Sequence, residues 1–445
     1  EATITSSASA PYDLSLHDHN GNTTLRNTAN SYLISAPGHY RIPLVYGNAI
    51  ENGATNVNAY TSHAAAGNSY VLYNFKDHNN QNITDPWIEK TNGGANASVD
   101  GAEVVWADAA NLVSSLSIKH VGGDAFLDFE VKASDIQSGN AVVAVKKGGV
   151  IVWSWHLWFA PKDALDKIPV TNHQGVVYNF TKETLGWKPT QWSGSTYTSA
   201  RTVKVKVEQT VANNGTKAYT VINITQNPGS AKKGATTLYQ FGRKDAFPGV
   251  ASSALAANSH FTENAGDNMS ITNNIQNPDK FYNYGSSLWT NYGYYNLWSA
   301  DNTVTGGTNH GNDNPVVKTV YDPCPAGFKI PANNAFTGFT TTGLNSTSQS
   351  EINIDGTSVW QTYQSNFGHN FWTSSSKTAT IYFPASGYRF LNDGSLSYVG
   401  FNGCYWSAVP YNSNSACHLN FYLNYVYLLS YDTRSSGFSA RPVSE

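Results

Sequence analysis

SGYRFLNDGSLSYVGFNGCYWSAVPYNSNSACHLNFYLNYVYLLSYDTRSSGFSARPVSE, residues 386–445, crowds Tyr, Asn and Ser around a thin apolar frame, and part of it alternates with the period of a β-strand. Within SACHLNFYLNYV that period places Leu419, Phe421 and Leu423 on one face and His418, Asn420, Tyr422 and Asn424 on the other. The first set is expected to pack and the second to face outward. The preceding GCYWSA is expected to pair with SACHLNF around a turn at Val409–Asn412, so the tail reads as β structure. Its alphabet is narrow as well: after Lys377 there is no Lys, Glu, Gln or Met until Glu445. Tyrosines and asparagines fill the outward positions, and such a surface suits recognition better than reaction.

The same texture extends over the chain. Of 445 residues 40% are hydrophobic and 13% charged, about half the usual share of charge near 25%. A mainly β, secreted type of surface protein with two to four domains fits this balance. The net charge of −3 supplies no electrostatic basis for binding a nucleic-acid backbone. No run reaches the roughly 20 apolar residues of a membrane helix, and the polar start at Glu1 implies that any export leader has been removed. The three cysteines, Cys324, Cys404 and Cys417, leave at least one unpaired, and a Cys404–Cys417 disulfide across the expected hairpin stands as one alternative.

Working back toward the N-terminus, residues 1–28 read as a polar arm. Residues 29–180 carry short strands: ANSYLISAPGHYRIPLVYGNAI, whose two runs flank Pro37-Gly38 and read as an antiparallel pair; then AEVVWADAANLVSSLSI, DAFLDFEVKASDI and NAVVAVKKGGVIVWSWHLWFAP, with a hairpin at Gly148-Gly149. They make a β-sandwich, and VIVWSWHLWF is apolar enough to be covered on both faces. Residues 181–230 form a connector with the hairpin RTVKVKVEQ/AYTVINITQ around Asn213-Asn214-Gly215. Beyond it, 231–445 is a second domain rich in Gly, Asn, Tyr and Trp. Helical periodicity is confined to short pieces, Lys162–Ile168 and Asn333–Gly338.

The second domain contains, in order, YQFGRKDAFPG, YNLWS, VYDPCPAGFKIP, GYR, GCYWSA, CHLNF and RSSGFSARPV. Together these resemble a domain of surface proteins in Bacteroidetes and Fibrobacter, distantly related to C-type lectins and formylglycine-generating enzymes. The first domain resembles the sandwich of Bacteroides fimbrillin-family proteins. The resemblance implies an α+β lectin-like domain behind the sandwich, carried at the cell surface or at the tip of a pilus and assembled with pilus subunits by strand donation. Its ligand would be a host, microbial or glycan partner. The tail also resembles the variable proteins of diversity-generating retroelements, in which Asn codons become NNC; such codons never encode Lys, Glu, Gln, Met or Trp. Trp406 then belongs to a fixed frame with Arg434, Phe438 and Arg441, the arginines bracing loops through backbone carbonyls.

The outward patch comprises Tyr405, Tyr411, Asn412, Asn414, His418, Asn420, Tyr422, Asn424, Tyr425, Tyr427, Tyr431 and Asp432. Strand covering by β-favouring tyrosines is the plain alternative to a binding surface. Other chemistry is weakly signalled. Ser374-Ser375-Ser376-Lys377 matches S-x-x-K but sits between strand-like runs, whereas that pattern needs a helix. His17-Asp18-His19 has no further ligands at defined spacing, and Asp301, Asp313 and Asp322 lack the E-P-N, Q-P-D and W-N-D signatures of calcium-dependent lectins. No cofactor is expected. The reading is therefore a non-enzymatic adhesin; an enzyme on the formylglycine-generating scaffold and a phage receptor-binding protein are the alternatives.

Overall fold

Tyr32, Ile34, Tyr40 and Ile42, four residues of the runs flanking Pro37-Gly38, are at most 6% exposed and belong to one core, yet their strands lie in different sheets. In the computed structural model, which describes residues 4–62, 72–192, 200–226, 231–285, 296–301, 311–356 and 367–445, Ser31–Ile34 runs parallel to Val150–Phe159, with Tyr32 opposite Leu157. Gly38–Pro43 instead pairs antiparallel with Asp124–Val131. The expected antiparallel pair is therefore corrected. The turn carries the chain from one sheet to the other, and the apolar residues of both runs enter the same core.

Each of these sheets has four strands. One runs Tyr12–Asp13, Gly38–Pro43, Asp124–Val131, Ser114–Val121; the other runs Ser31–Ile34, Val150–Phe159, Gly139–Lys147, Gly101–Ala107. Gly148 and Gly149, at φ 56° and 83°, turn the chain between Gly139–Lys147 and Val150–Phe159. Positive φ is free of penalty only for glycine. Trp153, Trp155 and Trp158 are buried together with Ser154 and His156, so this strand is covered on both faces.

The C-terminal tail builds a seven-stranded sheet. Its path is Leu396–Ser397, Tyr388–Arg389, Gly437–Ser439, Gly403–Pro410, Ser415–Tyr422, Tyr425–Thr433, and Leu238–Gln240 adds to Gly437–Ser439. GCYWSA and SACHLNF pair as expected, from Gly403 opposite Phe421 to Pro410 opposite Ala416. A Cβ on Gly403 would lie 2.0 Å from the Phe421 ring, so the close approach requires glycine there. Alternate residues enter two cores. Cys404, Trp406, Ala408, Ala416 and Phe438 pack into one that also holds the N-terminal sheets, whereas Tyr405, Leu419, Phe421, Val426 and Leu428 pack into another.

The composition shift near Ala231 does not separate two bodies. Residues 1–188 and 235–445 form one compact unit, and Pro189–Gly234 is the other. Asn30 Nδ2 donates to the carbonyls of Val320 (2.7 Å) and Asp322 (2.8 Å), and Ser31 Oγ donates to Pro323 O at 2.6 Å. A Cβ on Gly47 would lie 2.3 Å from Val320 O. Pro189–Gly234 thus interrupts the larger unit in sequence, close to the expected connector 181–230. Within it Arg201–Glu208 pairs with Tyr219–Gln226 around the Asn213–Thr216 turn, as the alternation indicated. One face of this hairpin carries Val203, Val205, Ile222 and Ile224, each 39% exposed or more.

The fold is mainly β. The expected short helices occur as 3-10 turns at Lys162–Leu165 and Asn333–Phe339. Ile271–Gln276 is an α-helix that the apolar pattern did not signal; Ser270 caps it by accepting from Asn273 N. Among the described residues no helix is long and apolar enough to cross a membrane.

Candidate functional site

In the short strand Tyr388–Arg389 the two side chains leave on opposite faces. Arg389 is fully buried and donates to the carbonyls of Pro248 (2.9 Å), Val250 (3.0 Å) and Gly394 (2.7 Å). Burial lowers its guanidinium to about 10, and nearby Glu263 opposes the shift. Tyr388 emerges half-buried on the other side. It stacks on Tyr398 with ring centroids 5.7 Å apart and planes at 15°, and meets Phe438 edge-on at 6.0 Å. Tyr398 has φ 56°, the left-handed region that a bulky residue enters only when its surroundings impose it. The backbone there directs an aromatic side chain toward Tyr388 at some cost.

The facing wall comes from the last hairpin. Tyr422 lies opposite Tyr425 across the Leu423-Asn424 turn, and their rings stand 6.0 Å apart. Tyr425 in turn stacks on Tyr427 at 4.4 Å. Asn402 Nδ2 donates to Asn420 Oδ1 at 3.3 Å between the walls, beside Cys404. Asp432 and Phe438 complete the lining of a cleft of ≈ 410 Å³. That volume falls within the range of small-ligand sites.

Burial pushes the Tyr388 phenol up to about 12, helped by Cys404, Tyr398, Asp432 and Tyr425, which lie within electrostatic reach of it. Burial also raises Asp432 above the usual carboxylate range, against hydrogen bonds from Thr433 and Ser436. All of those bonds go to Oδ1. Cys404 is pushed up by burial and by Asp432, which makes its thiol a poor nucleophile. The arrangement offers aromatic faces, two amides and one carboxylate, without an activated nucleophile.

Of the sequence-derived patch, Asn420, Tyr422, Tyr425 and Asp432 line the cleft, and Tyr427 backs Tyr425. Tyr405 and His418 are corrected. Tyr405 is 0% exposed, its hydroxyl donating to Pro384 O at 2.6 Å. His418 is 1% exposed between Trp406 and Phe438, and burial lowers it to about 3. Strict alternation failed at His418 because the sheet is covered on both faces at this end. Tyr411 and Tyr431 stack at 4.0 Å outside the cleft lining. Asn412 Oδ1 accepts from the backbone of Asn414 and Ser415 and shapes the turn; Asn424 is exposed at its own turn. Tyr388, Phe390, Tyr398 and Asn402 line the cleft without having been singled out. Their signal was the GYR block and the tyrosine in LSYVGFNG.

The remaining motifs resolve structurally. Cys404 lies opposite Asn420, not Cys417, and the three cysteines are buried and form no disulfide, which removes the disulfide alternative. Trp406, Phe438 and both arginines are buried; Arg441 donates to the carbonyls of Thr181 and Tyr382 at 2.9 Å, and Arg434 to Ser413 O at 3.2 Å. Ser374 and Ser376 bond each other in a turn, not a helix. Asp18 accepts from Asn20 and Asn22, Asp313 from Tyr178, Asn172 and Asn334, and Asp322 from the backbone of Cys324 and Ile330. Among the described residues no three His, Cys, Asp or Glu side chains gather as a metal site. A larger cleft, ≈ 470 Å³, lies beside Tyr12, His17 and Asp18. There His17 Nδ1 already donates to Asp13 O.

A family model described as a domain of unknown function, DUF8237, matches residues 367–443, the span that holds the cleft. No curated protein and no solved structure matches the chain.

Proposed function

We propose that this chain is a cell-surface adhesin, the tip subunit of a pilus, whose C-terminal lectin-like part binds a host, microbial or glycan ligand in the tyrosine cleft. The observation that carries the reading is that two tyrosine pairs, Tyr388–Tyr398 and Tyr422–Tyr425, line one cleft with Asn402, Asn420 and Asp432. Tyrosine supplies large rigid contact area and a hydroxyl at low entropic cost, which is why it dominates recognition loops. The fully buried Cys417 and the raised Cys404 thiol lend no support to an oxidase on the same scaffold. If the tail is diversified, the half-exposed positions of the cleft are those that can vary freely, whereas Cys417 and His418 are held by the core.

A glycan and glycoprotein array probed with the full chain tests this. A defined set of ligands, lost on Tyr388→Ala/Tyr425→Ala, is the expected result. Binding that survives the double variant places recognition elsewhere.

A further inference from the structure

Among the described residues, the lining of the tyrosine cleft contains six aromatic rings and one charged residue, the acid Asp432. Among the described residues no Lys, Arg or His lines it. The arginines next in sequence are committed elsewhere, Arg389 to the carbonyls of Pro248, Val250 and Gly394 and Arg434 to Ser413 O. Asn402 Nδ2 is spent on Asn420 Oδ1. The cleft presents aromatic rings, tyrosine hydroxyls and a carboxylate, and rings beside a carboxylate attract positive charge through the ring quadrupole and a counter-ion.

We propose that the cleft binds an organic ammonium ion, a quaternary or alkylated amine, seated against Tyr388, Tyr398 and Tyr425 with Asp432 as its counter-ion. The inference rests on the cleft being the recognition site and names the chemistry it selects. A neutral polyol can use the tyrosine hydroxyls but draws nothing from the carboxylate's charge, and Oδ1 of Asp432 and Nδ2 of Asn402 already have partners. A strongly hydrated anion meets a worse one, since burying it beside a carboxylate adds like-charge repulsion to desolvation. The strained Tyr398 backbone fits this picture: it sets the direction in which that side chain leaves the chain, beside Tyr388.

The test is calorimetric titration of the full chain with choline, with a peptide containing trimethyl-lysine, and with 3,3-dimethylbutanol, the uncharged counterpart of choline. The ammonium compounds are expected to bind at least about tenfold tighter than the alcohol, the margin that a moderate charge–ring attraction confers. Asp432→Asn and Tyr388→Leu are each expected to weaken choline tenfold or more by the same arithmetic, while Tyr388→Phe, which keeps the ring, retains it. The choline and peptide arms separate a small headgroup from a modified protein as the source. Melting temperature verifies the fold of each variant, and Tyr425→Leu supplies a second probe of the cage should Asp432→Asn unfold. Equal binding of choline and the alcohol, absence of ammonium binding, or full affinity in both Tyr388→Leu and Tyr425→Leu overturns the proposal. If array ligands depend on the cleft but ammonium ions do not bind, the ligand class is wrong and the recognition reading stands. If array ligands ignore cleft variants, the recognition reading itself fails.

Discussion

Tyr405 and Tyr425 lie on neighbouring parts of one sheet, and replacing each with Ala separates frame from surface. Tyr405 is fully buried, stacked near Phe421 at 6.1 Å and edge-on to Phe383 at 4.9 Å, with its hydroxyl on Pro384 O. Deleting a buried ring of this size costs about 3–5 kcal/mol, and the abandoned carbonyl adds about 1 kcal/mol or more. Tyr425 is half-buried and stacks on Tyr427 and Tyr422, so its removal costs about 1 kcal/mol, the worth of an aromatic pair. With a urea m-value of about 3 kcal/mol/M, the midpoint should fall by roughly 1 M or more for Tyr405→Ala and by about 0.3 M for Tyr425→Ala. Tryptophan fluorescence reads both transitions, because Trp406 sits in the same sheet. Ligand binding should follow the opposite order, lost in Tyr425→Ala and kept in Tyr405→Phe. Equal destabilisation by the two Ala variants would refute the assignment of Tyr425 to a surface and Tyr405 to a core.

Burial holds His156 and His418 at about 3 and His369 at about 4, below the value near 6.5 of a free imidazole. The unfolded chain therefore takes up protons that the folded chain refuses, so this contribution to stability is complete above about pH 6.5 and is lost as the pH falls toward 4–3. His418→Leu should show a shallower fall of the urea midpoint between pH 6 and 4 than the parent; identical slopes contradict the burial. Native thiol titration should find Cys324, Cys404 and Cys417 all reduced but slow to react, and all three reactive once unfolded; a mass two hydrogens lighter without reductant contradicts this. Replacing residues 201–226 by a short Gly-Ser link should leave the melting of the larger unit unchanged within about 1 kcal/mol, since the hairpin belongs to its own unit. A larger loss means that the hairpin supports the rest of the fold.

Period-two alternation made the β character and several pairings legible in the residues themselves: the turn at Gly148-Gly149, the Asn213–Thr216 hairpin and the GCYWSA/SACHLNF pair. Alternation says which residues share a face; it does not say what covers that face. This is why His418 and Tyr405, polar-tipped and sitting among tyrosines, read as surface and proved to be core. Sheet membership was illegible for a related reason. Ser31–Ile34 and Gly38–Pro43 are separated by a turn dipeptide whether they pair or part, and only the distant partners Val150–Phe159 and Asp124–Val131 decide. The cleft was half legible. Tyr422, Tyr425 and Asp432 stood in the patch, whereas Tyr388 and Tyr398 join it through the order of strands, which no local pattern carries.

The affinity of the triple variant Tyr388→Ala/Tyr422→Ala/Tyr425→Ala for an array-identified ligand, measured by biolayer interferometry beside its urea midpoint, tests the central claim most directly. Three central aromatic contacts of about 2 kcal/mol or more each should weaken binding by at least roughly a thousandfold, beyond detection for a micromolar ligand, with only a modest shift in midpoint. Affinity within threefold of the parent in a folded variant would contradict the claim that this cleft is where the protein recognises its partner.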